Sequence, residues 1–314
     1  MTSSTPSVLH RGLNAARRAK TKLSRRGTLP KGADLGPLFG LHAQKGGPLS
    51  DIGAANKIAL AEAEKRALWN LETQDAIQKQ DQLKHQFPFV GLVNCEIADQ
   101  EFYLWHMNDD VVAWFFFWKK SFEEHVFETL SALAVDAHRF LDVGAYTGCY
   151  SLFAARCGLE VDAFELVPRT VERLKMNVII NGLQDSIRMH NFGVSNRSEM
   201  IDIHMPRPED FLGTGNSVDE KSRVKTMSRT PCRVRPLDEW WEEAGKPQID
   251  IIKIDVEEHE FEALSGARAL IETCRPSMIV EIDQRKRSAI EAMCAEIQYS
   301  IKNLEGINFL LSPH

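Results

Sequence analysis

No two cysteines of this chain stand at C-x-x-C spacing; the six it has (Cys95, Cys149, Cys157, Cys232, Cys274, Cys294) are scattered through 314 residues. A thiolate zinc site is therefore not expected, and reduced intracellular thiols are. Long apolar runs are absent as well. The longest, Val111–Trp118, falls far short of the roughly 20 residues a helix needs to cross a bilayer, so no transmembrane segment is expected. The N-terminus has no apolar stretch of the kind that opens a secretory leader. An excess of positive charge is missing too. Lys and Arg number 38 against 44 Asp and Glu, for a net charge of −6, which speaks against nucleic acid as a partner of the folded part.

Acids are missing from the first 33 residues, up to Asp34, where Arg11, Arg17, Arg18, Lys20, Lys22, Arg25, Arg26 and Lys31 lie among Ser, Thr, Gly and Pro. Residues 1–50 thus read as a basic, disordered tail. Leu9, Leu13 and Leu23 among the arginines leave open an organelle-targeting role or a contact with an anionic surface. Otherwise a cytoplasmic location is expected.

What the chain does have is a core, with 43% hydrophobic residues, and one stretch around which the rest is arranged. Arg139–Glu165 reads RFLDVGAYTGCYSLFAARCGLEVDAFE. Phe140–Val143 is a short apolar run ending in the turn Gly144-Ala145-Tyr146-Thr147-Gly148. A helical segment, Cys149–Cys157, follows, and Gly158 stops it. Val161–Phe164 is a second apolar run, ending in Glu165. Strand, glycine turn, helix, strand and acid make one βαβ unit with a nucleotide-like site. The helix start offers free N–H groups, the glycines allow close approach, and Glu165 is placed to accept the hydroxyls of a ribose.

The turn is G-x-x-x-G and lacks the third glycine of dinucleotide binders. Asp142, just before it, would repel a pyrophosphate and favour a sulfonium or ammonium group. A cationic, phosphate-free nucleoside such as S-adenosylmethionine fits better than a nicotinamide dinucleotide. The plainer role for Asp142, capping the turn, stays open.

Around this unit, Ala54–Gln86 reads as a helix without Pro or Gly. Val90–Trp118 reads as β-rich, with a turn at Asn108-Asp109-Asp110. Glu123–Leu133 is expected as a helix with Glu124 and Glu128 exposed or facing a ligand. Pro168–Ile180 is a helix stopped at Asn181-Gly182. Ser186–Val194 is a strand candidate. Met205–Thr230 is a loop over the site, long enough to be functional. Cys232–Val234 is a short strand, and Leu237–Glu243 a short helix. Ile249–Asp255 is a buried strand carrying one lysine, Phe261–Thr273 a helix, and Met278–Ile282 a strand. Arg287–Glu296 is the last helix, and Tyr299–Leu311 forms two strands with a turn at Glu305-Gly306. Alternation of strand and helix means a doubly wound, mostly parallel sheet. The expected division is 1–50 tail, 51–138 helix plus β-rich extension packing on the core, and 139–314 the main domain.

Ligands of such sheets sit beyond the carboxyl ends of the strands. Acids end four of them: Asp142, Glu165, Asp255 with Glu257, and Glu281 with Asp283. Asp255 and Glu257, with His259 beside them, are the candidates to orient an acceptor hydroxyl and take its proton. Favourable charge at a helix N-terminus is the plainer account of the same acids. No metal is expected, although carboxylates on neighbouring strand ends leave a hard cation open.

The ordered set Asp142-Val143-Gly144-Ala145-x-x-Gly148, Phe164-Glu165-x-x-Pro168, Asn177-x-x-x-Asn181, Ile252-Lys253-Ile254-Asp255-Val256-Glu257-x-x-Glu260, Leu264-x-Gly266-Ala267 and Pro276-x-x-x-Val280-Glu281 resembles the FkbM-type family of S-adenosylmethionine-dependent methyltransferases. The similarity runs from about Phe140 to Asp283. It implies a seven-stranded Rossmann-like class I methyltransferase fold and O-methylation of a hydroxyl on a sugar, glycolipid or natural product. It also implies that Asp142, Gly144 and Gly148 surround the methionine part of the cofactor, that Ala145 and Asp255 help to bind it, that Glu165 binds its ribose, and that Asp255, Glu257 and Glu260 lie near the reacting centre. Two positions depart from the family: Tyr146 stands where it usually has Asn, and Glu258 where it usually has Gly. A module that binds the cofactor without turnover is the alternative these departures keep open. The implied partner is a small-molecule or carbohydrate acceptor; nothing in the pattern speaks for or against self-association.

Overall fold

The structure is a computed structural model that describes residues 83, 87–120, 122–205 and 228–314. The basic segment 1–50, the helix expected over Ala54–Gln86 apart from Leu83, and the centre of the loop expected over Met205–Thr230 lie outside the described residues. The chain divides into two units, Met1–Phe89 and Val90–His314, and every described strand lies in the second.

Strands β1 (Val90–Ile97) and β2 (Gln100–Met107) form an antiparallel hairpin. Its turn residues Ala98 and Asp99 both take left-handed φ values, 45° and 63°. Val111–Trp118, expected within a β-rich stretch, is instead helix α1. Asp110 starts it by accepting a hydrogen bond from the Ala113 amide at 3.0 Å, an N-cap of the usual kind. Six of its eight residues are buried, so no polar stripe shows the helical period and the run looks like a strand. Helix α2 (Glu124–Leu133) turns Val126, Phe127 and Leu130 inward and leaves Glu124 and Glu128 exposed.

The remaining elements alternate. They are β3 (Arg139–Val143), α3 (Cys149–Arg156), β4 (Glu160–Phe164), α4 (Pro168–Ile180), β5 (Ile187–His190), β6 (Gly193–Val194), β7 (Glu199–Met205), β8 (Ser228–Arg235) and α5 (Leu237–Glu243). Then come β9 (Ile251–Ile254), α6 (Glu260–Ser265), α7 (Arg268–Cys274), β10 (Ser277–Glu281), α8 (Gln284–Glu296), β11 (Tyr299–Glu305) and β12 (Asn308–Pro313). Seven strands form one sheet in the order β11-β12-β10-β9-β3-β4-β5. Six run in the same direction; β12 alone is reversed, antiparallel to both β10 and β11. The chain winds outward from β3 to β5, then returns to the other side of β3 with β9. That makes the β3–β9 boundary a topological switch point, where ligands of such sheets bind. Strands β6, β8 and β7 form a separate three-stranded sheet.

Two expectations change in detail. Ser186–Val194 is not one strand: β5 joins the large sheet and β6 the small one. The helix expected over Phe261–Thr273 is broken at Gly266-Ala267 into α6 and α7. A side chain at Gly266 would meet the Ser195 carbonyl oxygen at 1.9 Å, so the break is a place where two backbones touch.

All four residues of β9 are buried, as are four of the five of β3 and of β4. Their apolar side chains join Trp240, Trp241, Leu264, Leu270, Ile271 and Met293 in the core, each such burial being worth about 1.5–3 kcal/mol. Helix α4 is fastened to the hairpin by its two asparagines. The Asn177 side chain accepts from the Trp105 amide at 2.8 Å and donates to the Thr147 carbonyl at 2.8 Å. The Asn181 side chain accepts from the Tyr103 amide at 2.9 Å and donates to its carbonyl at 2.7 Å. These amides supply β2 with the partners a further strand would give it. Arg173 adds a bidentate pair with Asp109, 2.9 and 3.0 Å.

Candidate active site

The glycine turn closes on Glu165. The Gly144 and Ala145 amides both donate to the Phe164 carbonyl at 2.9 Å, and the Gly148 amide donates to the Ala145 carbonyl at 2.8 Å. Glu165 is buried at the end of β4. One of its oxygens accepts from the Tyr146 amide at 2.8 Å and the other from the Val167 amide at 2.8 Å. The Leu166 amide adds a third hydrogen bond, so of the roughly four acceptor sites of the carboxylate one remains for a hydroxyl donor. Desolvation outweighs the amides and pushes the Glu165 carboxyl up to about 7.

Gly148 (φ 94°) precedes α3 with no side chain capping the helix. Gly144 (φ 85°) is glycine for a second reason. A Cβ there would lie 1.8 Å from the Asp255 carbonyl oxygen and 3.2 Å from Val256 Cγ1. The glycine turn and the acidic turn after β9 are therefore in backbone contact across the switch point.

Asp142 is buried beneath this contact. It accepts from the Ser151 hydroxyl at 2.5 Å and from the Ser151 backbone amide, so it ties β3 to the first turn of α3. Burial raises its carboxyl to about 6.

Asp255 continues β9, and the backbone then turns sharply. Glu257 and Glu258 take left-handed φ values of 51° and 70°, which for two consecutive non-glycine residues cost of order 1–3 kcal/mol each. Glycine takes this conformation freely, which accounts for the residue expected at 258. Here Glu258 forms an ion pair with Arg285. The exposed Glu257 stands at the lip of the site. Partial desolvation, then the charges of Asp255, Glu260 and Glu258, push it up to about 7. Glu260 is buried and accepts from the Glu258 amide at 3.1 Å, so it braces the turn.

His259 faces elsewhere. Its Nε2 lies 3.0 Å from the Ser195 hydroxyl and its Nδ1 3.8 Å from Glu262. The charges around it are Glu262, Lys286, Arg197 and Glu199, none of them in the group around Asp255. Asp283 caps α8 through the Arg285 amide at 2.8 Å and points to that helix. Tyr146 leaves Glu165 its backbone amide and buries its hydroxyl among Asp109, Asp110 and Arg173.

Lys253 and Glu281, noted in the sequence without a role, and Tyr150, Glu123 and Asn308, given no part in a site there, complete the group. Lys253, the one lysine of β9, is fully buried. Its Nζ lies 3.2 Å from Asp255 Oδ2 and 4.6 Å from the centre of the Tyr150 ring. The Tyr150 hydroxyl donates to Glu123, and Glu123 accepts from the Asn308 side chain at 3.1 Å. Glu281 is hydrogen-bonded to Asp255. A lysine inside an apolar strand is itself a signal, because a buried ammonium needs anions close by. Among the described residues, no three His, Cys, Asp or Glu side chains are grouped to hold a metal ion. No described helix is long and apolar enough to cross a membrane.

A sheet of this order, with a glycine turn and acid on one side of the switch point and an acidic turn on the other, is the Rossmann-like sheet of the class I methyltransferases. The methyltransferase FkbM domain model matches residues 142–304, just over half of the chain. The chain belongs to that family. It is 26% identical over 147 residues to the 2-O-methyltransferase NoeI of Sinorhizobium fredii, an alignment covering 43% of this chain and 59% of that protein. Similar solved structures include the methyltransferase FkbM from Methylobacillus flagellatus KT, 18% identical with a TM-score of 0.41, over 56% of this chain and 44% of that one. The SAM-dependent methyltransferase from Agrobacterium tumefaciens is 12% identical with a TM-score of 0.42, over 73% and 72%. The chain thus spans well under two thirds of the first two of these relatives.

Proposed function

We propose that this chain is an S-adenosylmethionine-dependent O-methyltransferase acting on a hydroxyl of a sugar, glycolipid or natural product. The observation that carries the reading is the backbone contact between Gly144 and Asp255. It brings the glycine turn, whose Tyr146 amide holds Glu165, against the turn that carries Asp255 and Glu257. The alignment with a 2-O-methyltransferase supports a hydroxyl acceptor.

The residues present fit the cofactor. Glu165 keeps acceptor capacity for a ribose hydroxyl, and α3 starts at Gly148 with no side chain capping its amides. Asp142 adds negative charge under the turn, favouring a sulfonium over a phosphate. When bound, the cofactor supplies an electrophilic methyl group on a cationic sulfur. The chain positions the acceptor and removes its proton. Asp255 orients the hydroxyl, and Glu257, close to neutrality in its titration, takes the proton.

Calorimetry with S-adenosylmethionine, followed by incorporation of labelled methyl groups into a metabolite extract, tests this. Saturable binding with label in an alkali-stable ether is expected. Binding without any incorporation would mark a cofactor-binding module instead, and absence of binding would overturn the reading.

A further inference from the structure

Lys253 is the group the methyl-transfer reading does not use. Its strand register places it beside Asp142 on β3, and its ammonium has no exposed surface. The charged groups that act on it most strongly are all acidic: Asp255 beyond its own strand, Glu123 before α2, Glu281 on β10 and Asp142 on β3. The Tyr150 ring from α3 closes the remaining side at 4.6 Å. Fully burying an ammonium is expensive unless it is paired, and here the acids outweigh desolvation, so it stays charged. Asp255 is its direct partner at 3.2 Å. Glu281, the last residue of β10, follows the Val280–Ile254 pair of the β10–β9 ladder, which sets it beside Asp255, and it is hydrogen-bonded to that carboxylate.

Resting on the methyltransferase reading of this crevice, we propose that Lys253 and Glu281 are positioning residues: Lys253 anchors Asp255 as a carboxylate, and Glu281 donates to it a proton it keeps. Two carboxyl groups in hydrogen-bond contact hold one proton between them. The ammonium beside Asp255 decides which of the two is ionised. Desolvation alone would raise Asp255, but the charge of Lys253 and the hydrogen bonds from Glu281 and Lys253 bring it below its ordinary range. Desolvation first, then Asp255, drives Glu281 up. A carboxylate so held is a poor proton acceptor and a good fixed hydrogen-bond acceptor. Asp255 therefore orients the acceptor hydroxyl, and the proton released on methylation goes to Glu257. The second layer is anchored too: Asn308, paired with Glu281 across β12, holds Glu123, and Glu123 holds the Tyr150 hydroxyl.

The test is a carbon-13 NMR titration of the Asp255 and Glu281 carboxyl groups in the full chain, without cofactor or acceptor. Asp255 is expected to titrate below the ordinary carboxylate range and Glu281 above it. Lys253→Met should move the Asp255 midpoint up, and Lys253→Arg should return it part of the way. Should Lys253→Met not fold, Glu281→Gln takes its place. Glutamine still donates, so the Asp255 midpoint should stay low. An Asp255 midpoint indifferent to Lys253→Met, or one that rises in Glu281→Gln, overturns the proposal. In turnover, Lys253→Met should lower kcat by about 10- to 100-fold, the loss of one charge-assisted contact, with the dissociation constant for S-adenosylmethionine within about 3-fold of wild type. Equal losses in both would make Lys253 a merely structural ion. Because the titrations need no ligand, a wild-type chain that binds no S-adenosylmethionine would count against the function proposed for the crevice and not against the Lys253 arrangement.

Discussion

Glu165 and Glu257 are two glutamates with similar titration and opposite tasks. Glu165 is raised by burial and spends most of its acceptor capacity on the Tyr146, Val167 and Leu166 amides. What remains suits hydroxyl donors. Glu165→Ala should weaken S-adenosylmethionine binding by about 1–3 kcal/mol, the loss of hydrogen bonds to a charged group; an unchanged dissociation constant would remove the residue from the site. Glu257 stands at the lip, held near 7 by partial desolvation and three acidic neighbours. A base works only when ionised, so kcat/KM should climb as pH rises through about 7 and level off above. Glu257→Gln should abolish that limb along with most of the activity, whereas an intact limb in the variant would assign the base elsewhere. Asp255 titrates on the wrong side of neutrality for this task.

At the scale of elements, the decisive feature is one turn resting on another. Gly144 combines a φ of 85° with a Cβ position 1.8 Å from the Asp255 carbonyl. Gly144→Ala should therefore cost about 3 kcal/mol or more in stability, and turnover should fall further than stability does, because relief of the clash pushes the acidic turn off the crevice. Denaturant melts beside initial rates check this; a variant as stable and active as wild type would mean that the turns do not touch. The sequence shows such features unevenly. The βαβ unit is legible because strand, glycine turn, helix and acid each leave a local signal. The helix of Val111–Trp118 is not, since burial on all sides erases its period. The break at Gly266 is invisible because its cause, the Ser195 carbonyl, lies 71 positions away. Lys253 shows in the sequence as a flaw in an apolar run. Of its four acidic neighbours, Asp255 is two residues away, but Glu123, Glu281 and Asp142 come from three other parts of the fold and cannot be grouped with it without the sheet order. His259 fails for the converse reason: it is adjacent in sequence to the acidic turn but starts a helix that points it towards Ser195 and Glu262.

The molecule as a whole carries several buried acids raised towards neutrality. Asp110 and Asp142 lie at about 6 and Glu165 at about 7, in each case chiefly through desolvation. For a group whose folded pKa exceeds its unfolded one, the native state binds the extra proton. Its contribution is complete below the unfolded pKa and is lost as pH rises through the folded one. The exposed acids Glu160, Glu243, Asp283 and Glu296 shift the other way, through arginine partners. They are solvated, and in any case lose their contribution only on the acid side of their own low titrations. Between pH 5 and 8 the buried acids should therefore set the trend, and the ligand-free protein should be more stable near pH 5.5 than at pH 8. Glu165→Gln isolates one part. Glutamine cannot ionise, so the variant should gain on the wild type as pH rises, by on the order of 2–3 kcal/mol across the titration of Glu165. Chemical denaturation of both proteins at a series of pH values measures the difference. A gap between them that stays constant with pH would show that Glu165 is already ionised in the folded chain and that its crevice is wetter than its burial implies.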